Sequence, residues 1–138
     1  MEVDFAFICD YANITNKVNA MGIGFDTIYA PEVPVKHSSF FLVIQIRASV
    51  VEAGEKDMKV NIIDEDGREI IPEIKGKMNI PRPASGTESI GKIAINFNNV
   101  EFPKYCSYSI HAMIEGREMV RIPFKVGITP TKDQQPAV

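Results

Sequence analysis

The chain has 138 residues, 45% of them apolar and 24% charged, with two cysteines, no tryptophan and a net charge of −3. That length suits one domain with a core that needs neither disulfide nor metal. The acidic balance, with no Lys/Arg cluster, argues against a nucleic-acid partner, and an anionic membrane would repel such a surface.

Glu2 to Cys9 alternate in polarity and predict a strand, with Val3, Phe5, Phe7 and Cys9 on one face. Asp10 to Lys17 is turn-rich. Val18 to Ile28 reads as a second strand interrupted by Gly22 and Gly24, where a bulge or a close backbone approach is expected. Tyr29-Ala30-Pro31-Glu32-Val33-Pro34 is an extended connector, since two prolines so close exclude a helix. It is suited to carry the chain from one sheet to another.

Ser38 to Val51 is the longest apolar run, and its β-branched and aromatic residues favour strand over helix. Phe40, Leu42, Ile44 and Ile46 share one face, while Phe41 and Val43 make the first half apolar on the other face too. That second face needs a cover, either a segment of this chain or another subunit. Lys59 to Ile63 predicts a short strand, Asp64-Glu65-Asp66-Gly67 a tight turn, and Glu69 to Ile74 the returning strand. Ile80 to Thr87 is the longest loop signal, and Ile90 to Phe97 is a further strand.

Tyr105 to Val126 carries a hairpin: two alternating runs flank Glu115-Gly116-Arg117. Facing apolar pairs require Ala112 opposite Val120, Ile110 opposite Ile122 and Tyr108 opposite Phe124, which leaves those three residues as the loop. A two-residue turn would break this register unless a bulge restored it. Pro123 lacks an N–H, so the second strand is expected to be an edge or bulged there. Tyr108 reads as a core tyrosine, with a tyrosine corner as the competing reading. The polar tail, residues 129–138, is expected to be flexible, and residues 1–128 to form one domain.

About seven to nine strands and no useful amphipathic helix predict an all-β fold, an immunoglobulin-like antiparallel β-sandwich. The runs Cys9-Asp10-Tyr11-Ala12 and Gly24-Phe25-Asp26-Thr27-Ile28-Tyr29-Ala30-Pro31, with Phe102-Pro103 before Tyr108, resemble a family of small bacterial proteins of unknown function. The resemblance spans about residues 2–127 and implies a compact β-sandwich. It supplies no activity, ligand or catalytic residue. Tyr105-Cys106 departs from the Pro-Gly-like turn the resemblance leads one to expect.

The chemistry-bearing residues are sparse. His37 and His111 read as loop and surface histidines, since no second ligand stands at metal-binding spacing. Asp64 and Asp66 resemble the start of a calcium loop, but Glu69 and Glu73 do not complete it, and a side-chain-capped turn is the better reading. Asp4, Asp10 and Asp26 sit near aromatic residues and could do acid–base work as paired carboxylates, but Asp10 and Asp26 read better as turn acceptors. Gly22-x-Gly24 lacks the third glycine and the helix of a dinucleotide fingerprint. Cys9 and Cys106 read as buried small hydrophobes.

No catalytic, metal or cofactor site is assigned on this reading. The expectation is a non-enzymatic module that binds a protein partner by strand addition or through its loops, with Tyr11, Phe25, Asp26, Tyr29 and Pro31 as contact residues. A homo-oligomeric structural subunit is the alternative, resting on the two-sided apolar run. A weaker one is a hydrolase or metal enzyme that uses Asp10, Asp26 and His37 or His111. No bilayer-spanning stretch and no signal segment are visible, and two cysteines are too few for a disulfide scaffold, so a cytoplasmic location is expected.

Overall fold

A computed structural model describes residues 1–130, so most of the expected flexible tail lies outside the described residues. The strands are β1 (Glu2–Cys9), β2 (Tyr11–Ile14), β3 (Val18–Met21), β4 (Thr27–Ala30), β5 (Val35–Ser49), β6 (Gly54–Asp64), β7 (Ile74–Ile80), β8 (Glu88–Phe102), β9 (Ser107–Ile114) and β10 (Arg117–Ile128). One turn of 3-10 helix, Val50–Glu52, links β5 to β6. The described residues form ten strands rather than seven to nine, because the N-terminal third is cut by glycine and proline into short pieces.

The apolar run becomes β5, the middle strand of a three-stranded sheet ordered β1-β5-β8. A five-stranded sheet ordered β4-β10-β9-β6-β7 packs against it. Phe40, Leu42, Ile44 and Ile46 of β5 meet Val60 and Ile62 of β6 and Ile110, Ala112 and Ile114 of β9, all fully buried in one cluster. At one end Phe40 stacks on Phe97 at 4.9 Å, and Phe124 reaches across the layers to Phe40 at 6.2 Å and Phe102 at 5.7 Å. Burying each such ring contributes about 1.5–3 kcal/mol.

Two expectations of face and cover resolve here. β1 carries a bulge at Asp4, between the pairs Val3–Ile46 and Phe5–Gln45. Val3 therefore faces the main core with Ala6 and Ile8, while Phe5, Phe7 and Cys9 turn outward, which corrects the single face expected for all four. The second apolar face of β5 is covered by the chain itself. The β2–β3 hairpin lays Ala12, Val18 and Ala20 over Val43, Phe41, Cys9 and Ala94. That face no longer calls for a second subunit.

The C-terminal hairpin has the expected register: Val120 faces Ala112, Ile122 faces Ile110 and Phe124 faces Tyr108. Its loop is two residues rather than three. Glu115 and Gly116 both have positive φ, 52° and 77°, the geometry of a type I′ turn, and a bulge between Glu118 and Val120 restores the apolar match. Pro123 lies where β10 is an open edge. The Lys125 N–H, two residues on, points to the same side, away from β9, and donates to Asp26 O at 2.9 Å. From Lys125 onward β4 pairs with β10, and it does so in parallel, a departure from the all-antiparallel expectation.

Elsewhere the boundaries move. Glu69 makes a single bridge to Ile63, and the returning strand begins only at Ile74, past Pro72, whose missing N–H cannot enter the ladder. The strand expected over Val18 to Ile28 is split into β3 and β4, and β4 takes in Tyr29 and Ala30 of the expected connector, so only residues 31–34 cross from the second sheet to the first. Cys106 is half-exposed in the β8–β9 loop rather than buried.

Candidate functional site

Sheet edges expose unpaired N–H and C=O groups, and most edges in this fold are blunted. β1 is bulged at Asp4. β4 is four residues long and is followed by Pro31, while the open part of β10 contains Pro123. β7 carries exposed Lys75 and Lys77, with Lys77 3.4 Å from Asp57. β8 is different. It runs for 15 residues, pairs along that length with β5, and stands at the edge of its sheet. It contains no proline, and alternate residues turn their backbone groups away from β5.

The space beside β8 is grooved. Ile93 and Ile95 point toward the core, opposite Ile44 and Leu42, yet stay half-exposed. A cleft of about 400 Å³ lies between β7 and the first half of β8, lined by Met78, Asn79, Lys92 and Ile93 among others. A second, of about 350 Å³, lies between Ile71–Ile74 and the second half of β8, from Asn96 to Val100. The two strands approach closely at Gly91, where a Cβ would lie 3.0 Å from Ile80 Cγ1.

The residues singled out from sequence are spread over the fold. Tyr11 is exposed on β2 and packs edgewise on Phe41 at 5.4 Å. Tyr29 is exposed on β4, and Pro31 is exposed just beyond it. Phe25 packs on core Phe40 at 6.3 Å. Asp26 accepts the Thr27 hydroxyl at 2.9 Å and lines an open cleft of about 230 Å³ with Ser107, Pro123, Phe124 and Lys125. Asp10 and His37 are close enough for the aspartate charge to act on the imidazole, but burial dominates and lowers the His37 pKa. His111 stands on the outer face of β9 in the other sheet. Asp10, Asp26 and the two histidines therefore do not converge.

The Asp64 turn is capped by side-chain bonds, as its residue types suggest. Asp64 Oδ1 accepts the N–H groups of Arg68 and Asp66, each at 2.9 Å. The Arg68 bond is the leading reason that the carboxyl sits below its ordinary pKa. Asp66 pairs with Lys104 at 3.0 Å. Among the described residues no group of three His, Cys, Asp or Glu side chains is arranged to hold a metal. Tyr108 forms the tyrosine corner while remaining a core residue: its hydroxyl donates to Lys104 O at 2.6 Å and accepts from Lys104 N at 3.3 Å. Burial is the first cause of its raised pKa.

One constellation escaped the sequence reading. Ser109 Oγ lies 2.8 Å from His111 Nε2, and His111 Nδ1 hydrogen-bonds Glu118 Oε1. The Ser-x-His spacing on one strand face was visible in the sequence. Glu118 joins them because the bulge after it sets Glu118 and Val120 on opposite faces.

The model of a family of unknown function, DUF6941, matches residues 4–127. The chain belongs to this family. No curated protein matches this DUF6941 chain. Among solved structures it is similar to Pseudomonas fluorescens alkylpurine DNA glycosylase AlkC bound to DNA containing an abasic site analog. The identity is 10% and the TM-score 0.41, over 88% of this chain and 30% of that one. The chain thus spans under a third of the glycosylase, and nothing about function follows from so distant a likeness. No helix among the described residues is long and apolar enough to cross a membrane.

Proposed function

We propose that this DUF6941 protein is an interaction module of immunoglobulin-like connectivity that takes up an extended segment of a protein partner along the free edge of β8. The observation that carries this reading is the contrast among edges: β8 is long, free of proline and grooved, regular from Glu88 to Asn98 with its one left-handed residue at Asn99, while β1, β4, β7 and β10 are each short, bulged, charged or interrupted by proline. The connectivity supports it. β5 and β8 take the places of strands B and E, and β6, β9 and β10 those of C, F and G. Tyr108 then falls at the start of strand F, where a tyrosine corner belongs. In constant-type sandwiches a fourth strand, D, pairs beside E. Here the proline-containing loop of residues 81–87 leads directly from β7 into β8. Strand addition at such an edge draws affinity from backbone bonds and specificity from pockets for alternate side chains, and half-exposed Ile93 and Ile95 are placed to form them.

The test is affinity capture with tagged protein from its native cells, run in parallel with Ile93→Lys and Tyr29→Lys, with melting curves to show that both variants fold. Partners held by wild type and Tyr29→Lys, but weakened at least about tenfold by Ile93→Lys, support the reading. Partners that Ile93→Lys retains would overturn it. Light scattering on the same proteins identifies a second copy as the partner if wild type is a dimer and Ile93→Lys a monomer.

A further inference from the structure

The outer face of β9 and β10 holds a hydroxyl, an imidazole and a carboxylate in line, and recognition at β8 uses none of them. Ser109 and His111 are two positions apart on β9 and so project to the same side. The Ser109 hydroxyl is within 2.8 Å of Nε2, and Glu118 engages Nδ1. The hydrogen bond from His111 is the leading cause of a lowered Glu118 pKa, so the carboxylate is the form that faces the ring. A carboxylate at Nδ1 selects the tautomer with its proton there. Nε2 is then the acceptor for the serine O–H. Ser109 and His111 are each partly exposed, the His111 side chain at 16%, so a small molecule can reach the hydroxyl and the ring from solvent.

We propose that Ser109 is a nucleophile activated by His111, with Glu118 positioning the ring, and that it accepts acyl groups from activated esters. Ser109 Oγ bonds to the ester carbonyl carbon as its proton passes to His111 Nε2. The bond from that carbon to the leaving oxygen breaks, and the proton goes to the departing alcohol or phenol. Water, deprotonated by His111, then cleaves the acyl-serine, so ester and water become acid and alcohol. The substrate class follows from the surroundings. Ser109 lies between the ladder partners Ile63 and Pro123, which commits the backbone on both sides to the sheet. Each backbone donor absent from an oxyanion site costs about 10²–10³ in rate. Esters with good leaving groups, such as aryl acetates, are therefore the ones served.

The test treats the intact protein with an alkyl fluorophosphonate, in which the serine oxygen displaces fluoride from phosphorus, and separately with p-nitrophenyl acetate. A single phosphonyl adduct on Ser109 is expected, with nitrophenol release that disappears in Ser109→Ala. His111→Ala should slow labelling about 100-fold, the lower range for general-base assistance. Glu118→Gln should fold normally and slow labelling, with part of the rate restored in Glu118→Asp. Arg121, whose charge also acts on Glu118, is retained in that variant. Labelling of wild type no faster than of folded Ser109→Ala, an adduct on another residue, or undiminished labelling of His111→Ala would overturn the proposal.

Discussion

Replacing Tyr108 by phenylalanine isolates the corner bond from the core. The ring keeps its stack on Phe124 at 5.8 Å and its edge contact with Phe102 at 5.0 Å. What is lost is the pair of bonds to Lys104 O and Lys104 N, at 2.6 and 3.3 Å. Each bond contributes about 0.5–1.5 kcal/mol net, so the pair contributes about 2 kcal/mol. With an unfolding entropy near 2.1 cal/mol/K per residue, that loss lowers the melting temperature by about 7 °C. Urea unfolding followed by circular dichroism should give the same figure as a shifted midpoint at unchanged slope. The pH profile adds a second readout. The folded-state pKa of Tyr108 is raised above the ordinary 10.0, mainly by burial. Its contribution is therefore full below that value and declines as pH climbs beyond it, where the unfolded chain ionises first. Tyr108→Phe should flatten this alkaline decline. A variant melting within about 2 °C of wild type at neutral pH would refute the corner's energetic role, since two bonds of ordinary strength cannot vanish at that cost.

Gly22→Ala should destabilise the β3–β4 turn by at least about 2 kcal/mol, because φ is +68° and a Cβ would sit 2.1 Å from Asp10 Oδ2. Asp10→Ala in the same chain should recover the part of the loss due to the carboxyl group and leave the backbone part and the 3.0 Å contact with the Asp10 Cβ, which a double-mutant cycle in urea separates. A cycle with no coupling would refute that contact. The Asp64 carboxyl is held below its ordinary 3.8. Its stabilisation is thus present above that pH and fades as pH falls through the folded value. Asp64→Asn should be less stable at pH 6 and lose this part of the acid limb in urea titrations between pH 6 and 2. An unchanged acid limb would refute the assignment.

Local pattern was enough to read strand type and facing residues where one face is buried and the other wet. The β9–β10 hairpin shows why: a slip of one residue would turn Ile110, Ala112, Val120 and Phe124 out of the core together, so hydrophobicity alone specifies their partners. The same logic made β5 legible as a strand with two apolar faces. It could not say that the β2–β3 hairpin covers the outer one, because Ala12, Val18 and Ala20 are too small and too few to announce a covering surface.

Bulges were the other blind spot. An extra residue at Asp4 or Met119 reverses facing downstream, and its position depends on the partner strand. That is why Glu118 could not be assigned to His111 from spacing, although Ser109 and His111 could be set on one face. The open edge of β8 was hidden for a related reason. Its side chains alternate like those of a paired strand, and only the strand order reveals that no ladder lies beyond it among the described residues. Sequence by itself determined the all-β class, the apolar faces of β5, β9 and β10 and the Tyr108–Phe124 register, all set by short-range alternation and burial. Tertiary structure alone decided strand order, cover and the meeting of Ser109, His111 and Glu118, because these depend on backbone bonds between segments far apart in the chain.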